Sequence, residues 1–600
     1  MVLDLNLSTM AWLLLLGILA LPATLCSGVM LENLADLNKL KLKYDFIVVG
    51  GGTAGAVVGN RLSENPNYNV LVLEAGGSNA DVLNIIVPFF APRATPNTAQ
   101  DWNYTTTPQV GLNGRSVGYN RGFVIGGSSS VNYMVYTRGS MEDFDRWANI
   151  TGDDGWAWDN LIPYFLKNEH FSRPADNHNT QGQFEPSIHG FHGINTVSLS
   201  GFPTPIDSRI VDTTTQLDGY PFNLDMNSGN PLGIGWGQAT IKDGARSSSA
   251  TSYLAPEFLR RPNLHVLLNA RVTRVLETSP GVVRTVEFLQ GLKGPKYTLT
   301  AEKEVIVSAG SIGSPNILLH SGIGDSKALS KLGIKSVHNL PSVGQNLTDH
   351  SLLFLSFLVN STDTFEAAVR NATLAAEEFT EWNTTRMGPL VDNPLSHMGW
   401  LRVNDSVLEG FTDISAGPNT PHYELIFCNG MIPPPPPTGN FLSILPVVVS
   451  PSSRGEVTLN TSNPLASPLI NPNLLGAEVD LIVMREAVKS AIRYTTAPAW
   501  KGYVLSLFGL TNTNDAGIEE YIRANAGTIF HPAGSMSMAP KDASWGVVNP
   551  DLTVKGLSGL RVADLSVVPF IPAAHTQVSA YIIGERVSDL IKQKYCSCQS

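Results

Sequence analysis

Two unbroken apolar runs stand close together near the start of the chain. Asp45-Phe46-Ile47-Val48-Val49 and Asn69-Val70-Leu71-Val72-Leu73 are β-branched and continuous rather than alternating, the pattern of parallel strands covered on both faces. Between them lies Gly50-Gly51-Gly52-Thr53-Ala54-Gly55, a G-x-G-x-x-G match that runs into a helical stretch ending near Leu62. Gly50 permits the tight turn, Gly52 lets backbone approach a pyrophosphate, and Gly55 lets the helix pack close on the strand. The free N–H groups at Thr53 and Ala54 then face the phosphates. The second run ends on Glu74, roughly 20 residues past the glycines, where a carboxylate accepts hydrogen bonds from ribose hydroxyls. Strand, turn, helix, strand and terminal acid in that order predict a dinucleotide site, and nicotinamide and flavin are both compatible with it.

The rest of the chain divides by texture. Asn263 to Val275 holds two apolar runs, and Glu304-Val305-Ile306-Val307-Ser308-Ala309-Gly310 reads as another buried strand ending in small residues. Pro315 to His320 predicts the start of a helix. Residues 84–107 are loop-like, with several prolines and the aromatic Asp101-Trp102-Asn103-Tyr104, and predict a lid across the cofactor. In Gly126-Gly127-Ser128-Ser129-Ser130-Val131-Asn132-Tyr133, paired glycines and three serines offer donors for a phosphate or a polar ring edge. Residues 148–236 and 351–450, richer in Gly, Pro, Asn and aromatics, are assigned to a substrate-covering lobe. Met431-Ile432 followed by Pro433 to Pro437 reads as a rigid loop over its entrance.

A length of 600 residues exceeds one simple core and implies two lobes. With 43% apolar and 15% charged residues there is little room for long disordered stretches. A net charge of −11 argues against nucleic acid or an anionic membrane as partner, whereas a small neutral substrate is compatible. Ala11 to Leu21 is an apolar run of signal-peptide length followed by small residues, and it reads as a secretory signal, a short membrane anchor being the alternative. Sequons fit a secreted glycoprotein, with Asn149, Asn360, Asn371, Asn383, Asn404 and Asn460 as candidates. A further sequon at Asn103 is set aside, as is Asn346, which lies in a motif expected to be buried. Four cysteines in so long a chain exclude a disulfide-stapled fold. Cys596 and Cys598 lie too close together for a metal site without other ligands, and no metal is expected.

Three stretches carry a family resemblance. Gly126-Gly127-Ser128-Ser129-Ser130-Val131-Asn132 resembles the first signature of the glucose-methanol-choline (GMC) oxidoreductases, FAD-dependent alcohol oxidases and dehydrogenases. Gly310-Ser311-Ile312-Gly313-Ser314-Pro315-Asn316-Ile317-Leu318-Leu319-His320-Ser321-Gly322-Ile323-Gly324 is similar to the second signature, and Val343-Gly344-Gln345-Asn346-Leu347-Thr348-Asp349-His350 to a third landmark. The resemblance runs from about Tyr44 to Leu590 and leans towards the secreted fungal aryl-alcohol oxidases. It implies an α/β protein with a Rossmann-like FAD-binding domain and a discontinuous α+β substrate-binding domain. The expected boundaries are 1–27 for the signal, 44–346 for the FAD-binding region with 148–236 lent to the substrate lobe, 347–450 for that lobe, and 451–590 for the C-terminal region.

The resemblance also assigns roles. Cofactor contacts fall on Ser128, Asn132 and Val135, on Val272 at the adenine side, and on Asp564, Gln577 and Val578 near the ribityl chain and the ring. His531 and His575 match the family's active-site pair, Tyr133 its substrate-stacking aromatic, and Phe530 an aromatic that narrows the approach of oxygen. The chemistry requires such a pair. A hydride leaves an alcohol carbon only if the hydroxyl proton leaves with it, so a base must reach that oxygen. His531 is the candidate base, kept neutral by burial, and His575 would hold the same oxygen from its other side. The imidazolium left at His531 would then stabilise charge developing on oxygen.

Two departures from the family stand out. Phe123 occupies a place where the first signature usually has Arg or Lys, and Met431 and Ile432 stand where aryl-alcohol oxidases close the pocket with aromatics. A pocket of Met and Ile is less selective, which brings aliphatic and polyunsaturated alcohols into consideration. The expectation is therefore a secreted, monomeric, FAD-dependent oxidase that turns a primary aryl or allylic alcohol into the aldehyde and O2 into H2O2. The alternatives are a quinone-dependent dehydrogenase, a hydroxynitrile lyase and a silent binding protein on the same fold.

Overall fold

The computed structural model describes residues 29–291, 294–432 and 435–596. The expected secretory signal and Cys598 lie outside them. The apolar runs form one parallel sheet: β1 (Met30–Leu31), β2 (Phe46–Val49), β3 (Val70–Leu73), β4 (Leu264–Leu267), β5 (Glu304–Val307) and β6 (Leu560–Val562). Their spatial order is β1-β4-β3-β2-β5-β6, every pair parallel. Strands β2 to β5 are buried at every position, so continuous hydrophobicity is what the sheet demands. The order turns around at β2, whose neighbours are β3 on one side and β5 on the other, and ligand crevices open at the strand ends of such a point.

Helix α1 (Thr53–Leu62) follows β2, and the C-terminal helix α3 (Gln577–Cys596) packs across it. Their contact is close: a Cβ on Gly584 would meet Ala54 O at 2.8 Å. A buried charge network locks the pair. Arg61 bonds Glu585 at 2.8 Å, and the Tyr253 hydroxyl donates to the same carboxylate at 2.6 Å. Removing one partner from such a pair strands the other and costs about 3–5 kcal/mol.

Helix α2 spans Gly310–His320 with Pro315 inside it. The sequence pattern placed its start at Pro315, five residues late, because proline is usual in a first helical turn. The structure accommodates an interior proline by supplying another donor. Pro315 cannot donate to Ser311 O, and the Ser535 hydroxyl donates there at 2.6 Å.

The second lobe is built on an antiparallel sheet ordered 504–508, 355–359, 441–448, 423–428, 395–401 and 233–236, with 351–352 and 527–528 joined at its side. Its strands thus come from five separate stretches of chain. Alternation sorts their side chains. Tyr423, Leu425 and Phe427 join the core formed with the helix Glu478–Tyr494, while Ile426 and Cys428 face the other way with Trp400 and Met398. Glu424, of the same parity as Ile426 and Cys428, is 1% exposed in this apolar strand. No described helix is long and apolar enough to cross a membrane.

Candidate active site

A cleft opens at the ends of β2 and β5. Gly50, Gly52, Thr53, Ala54, Glu74, Ser128, Val272 and Asp564 line it, together with Ser308 to Gly313. Gly55 does its work one layer back: a Cβ there would lie 1.9 Å from Gly50 O, so helix and turn meet only because it has none. Gly127 approaches Gly52 in the same way, at 2.8 Å for an added Cβ.

Two carboxylates anchor the walls. Glu74 accepts from Gly51 N at 2.8 Å and Gly76 N at 2.7 Å. Burial pushes its pKa up to about 7 against the pull of these amides. Asp564 accepts from Gly310 N at 2.9 Å, from the Ser314 hydroxyl at 2.6 Å and from Ser566 N at 2.8 Å, and burial raises its pKa as well. Each thereby ties a cleft turn to its neighbour.

The donor set fits a dinucleotide. Helix α1 has no side-chain cap, so its first N–H groups are open to the cleft. Three lining side chains, Ser308, Ser311 and Asn316, carry buried oxygens with no partner among the described residues, and such groups need one. Arg121 and Arg271 bring positive charge. They are the residues that the sequence reading missed, and they stand in for the charge absent at Phe123, which instead packs edge-on against Trp102 at 4.6 Å. Trp102 stacks on Tyr104 at 5.5 Å with Arg271 over its face at 5.0 Å, making one wall from the expected lid segment.

Other expected cofactor contacts gather beside the cleft rather than on its lining. Asn132 donates to Gln577 Oε1 at 3.1 Å and accepts from Arg246 at 2.8 Å, and Gln577 donates to Val135 O at 2.5 Å. Val578 is fully buried next to them. Tyr133 lies half-buried in an apolar cluster with Phe354, Phe365, Ile432 and Ile529. Aromatic side chains therefore join this cluster from segments other than the loop at Met431.

The two histidines meet next to the cleft, which Pro532 lines. The rings of His531 and His575 are 4.9 Å apart and nearly perpendicular, at 81°. Strand-like pairing brings a third ring in. Thr348 and Ala533 exchange backbone bonds, and Ile529 N donates to His350 O, so His350 lies across from His531 with the two Nδ1 atoms 3.0 Å apart. Asp349 ties both backbones, accepting from His531 N at 2.8 Å and His350 N at 2.8 Å. On the other side His575 Nε2 meets Glu424 Oε1 at 3.0 Å, and its backbone N donates to the Thr137 hydroxyl at 2.8 Å. Phe530 sits at φ +65°, a costly conformation for an aromatic residue. Arg121 holds it by donating to its carbonyl at 2.6 Å.

Each of these two histidines is thus tethered through one nitrogen. Burial, then the facing rings of His575 and His350 and the Arg121 guanidinium, holds His531 far below the usual imidazole range. Burial, then His575, takes His350 down to about 3. A neutral His531 with Nε2 untethered can take a proton from a hydroxyl held between the rings. Glu424 had a signal in sequence, an acid inside the apolar run Tyr423 to Cys428. His350 lay within a quoted motif without a role.

The chain matches the N-terminal GMC oxidoreductase model over residues 44–352 and the C-terminal GMC oxidoreductase model over residues 451–584. It belongs to the GMC oxidoreductase family. Pyranose dehydrogenase 3 of Leucoagaricus meleagris is 43% identical, covering 92% of this chain and 93% of its own. A variant of formate oxidase from Aspergillus oryzae, solved for its effect on FAD modification, superposes with a TM-score of 0.85 at 30% identity, covering 92% of this chain and 99% of its own. A fungal aryl-alcohol oxidase superposes at 0.80 with 26% identity, covering 92% and 99%. The lean towards aryl-alcohol oxidases is corrected accordingly: that group shares the fold, while the sequence stands nearer the pyranose dehydrogenase.

Proposed function

We propose that the chain is an FAD-dependent oxidoreductase that removes a hydride and a proton from the hydroxyl-bearing carbon of a sugar or related alcohol. The observation that carries this is the perpendicular pair His531 and His575 beside a cleft whose glycines, amides and unpartnered hydroxyls fit a dinucleotide. FAD, when bound, supplies the hydride acceptor. Gly50 to Ala54, Ser128 and the start of α2 would hold its pyrophosphate side, Val272 and Glu74 the adenosine side, and Asp564, Asn132 and Gln577 the ring side. His531 receives the hydroxyl proton at Nε2, and the ring of His575, fixed by Glu424, steadies the same oxygen. Misplacement by about 1 Å would cost roughly 100-fold in rate, which is why both rings are braced.

The identity to a pyranose dehydrogenase favours a sugar hydroxyl over the aryl or allylic alcohol expected from sequence. The aromatic cluster of Tyr133, Phe354 and Phe365 supports the aryl alcohol as the second reading. Similarity to a relative named glucose dehydrogenase [FAD, quinone] in Drosophila melanogaster, 32% identical over 92% of this chain, favours a quinone over O2 as electron acceptor. All six glycosylation candidates are exposed, which supports a secreted glycoprotein. Anaerobic mixing of the purified yellow protein with pyranoses and with benzylic alcohols, followed at the flavin band, decides between donors, and peroxide release in air against quinone reduction decides between acceptors. His531→Ala should keep the colour and lose about 10²- to 10⁴-fold in bleaching rate; bleaching at the parental rate would refute the base assignment.

A further inference from the structure

The peptide unit that leads into His531 is gripped at both ends. The Arg121 guanidinium donates to Phe530 O at 2.6 Å, and His531 N donates to Asp349 Oδ1 at 2.8 Å. A guanidinium only donates and an ionised carboxylate only accepts, so two opposite charges hold the dipole of one peptide in one direction. Turned over, the same peptide would point its N–H at the arginine and its oxygen at the aspartate. The neighbouring groups are tied into this grip. The Thr528 hydroxyl donates to Asp349 Oδ2 at 2.5 Å and accepts from Phe530 N at 2.6 Å. Arg121 is itself held by Asp101, which accepts from its backbone N at 3.0 Å. These bonds converge on Phe530, whose φ of +65° strains a residue with a side chain and does not strain glycine.

We propose that Arg121 and Asp349 are positioning residues for the base: together they hold Phe530 in its left-handed conformation and so fix the direction in which the imidazole of His531 leaves the backbone. The inference rests on the reading of His531 as the base. It gives the strain at Phe530 a function, because a peptide clamped against that strain offers one direction to the side chain that follows. Arg121 also lines the cofactor cleft, so a role on the turn has to be separated from a role on the cofactor.

The test places Arg121→Met, which removes the donor, in two backgrounds: the parent, and Phe530→Gly, which adopts the same φ without strain. Flavin absorbance reports that each variant keeps its cofactor. With a bleaching substrate, Arg121→Met should slow the limiting anaerobic bleaching rate about 10- to 100-fold in the parent while the half-saturating substrate concentration stays near parental, and should cost much less in the Phe530→Gly background. Asp349→Asn, whose side-chain oxygen still accepts from His531 N, should keep more of the rate than Asp349→Ala. Independently of turnover, the His531 amide of the wild-type protein should exchange its hydrogen slowly, and Arg121→Met should speed exchange across residues 528–531. An equal loss from Arg121→Met in both backgrounds would assign Arg121 to the cofactor alone and overturn the proposal. So would a parental rate in Arg121→Met, no advantage of Asp349→Asn over Asp349→Ala, or a wild-type His531 amide that exchanges like an open loop. The last holds even if the variants do not fold. Should His531→Ala bleach normally, the base reading itself falls, which is a separate outcome.

Discussion

The parallel and antiparallel sheets hold their functional groups in opposite ways. In the parallel sheet the cofactor residues sit on turns directly after the strands, Gly50 to Gly55 after β2 and Ser308 to Gly313 after β5, so contiguous residues make contiguous site. Where the antiparallel lobe meets the parallel half, no stretch makes a site alone. His350, Glu424, His531 and His575 converge from four places, and each is useful only because the others are within reach. The difference teaches where damage should fall: a change in the first region should cost the cofactor, and a change in the second should cost turnover with the cofactor in place.

The largest expected effect tests the first half of that statement. Gly55→Val puts carbon where Gly50 O already lies, 1.9 Å from an ideal Cβ. The variant should purify colourless, without the flavin absorbance of the parent; a fully yellow protein would show that the turn can yield. Glu424→Gln tests the second half. It keeps a hydrogen-bonding group against His575 but removes the charge, and should retain flavin absorbance while slowing bleaching about tenfold. Equal loss of colour in both variants would erase the distinction between the regions.

A smaller effect sharpens the comparison by locating a purely structural imidazole. His189 is wedged between Glu169 at 2.7 Å and Asp225 at 2.8 Å, with Arg138 also on Glu169. Burial pulls its pKa down, but the two carboxylates outweigh burial and raise it. A raised folded pKa contributes stability that is complete below the unfolded value near 6.5 and is lost as pH climbs through the folded value. Thermal midpoints of the parent should therefore fall as pH rises above about 6.5, and those of His189→Gln should follow a flatter slope. Parallel slopes would remove His189 from the pH dependence of folding.

His189 and His531 show why a histidine is hard to read in sequence. Both are buried, yet the acids around one raise its pKa, whereas burial and the nearby Arg121 lower that of the other. Nothing in the residues flanking either reports which. The same holds for Glu424, whose acid in an apolar strand signals importance without naming its partner, 151 positions away at His575.

By itself the sequence determined the parallel half of this protein. Continuous apolar runs, a glycine turn and a terminal acid are local patterns, and steric rules convert them directly into strands, a tight turn and open helix amides. It also carried the motifs that name the family. Only the tertiary structure decided that Arg121 and Arg271 supply the cleft's positive charge, that α2 begins at Gly310, and that two imidazoles are braced from behind by His350 and Glu424. Those features depend on which distant segments pair, and pairing is set by burial of whole faces rather than by any short run of residues.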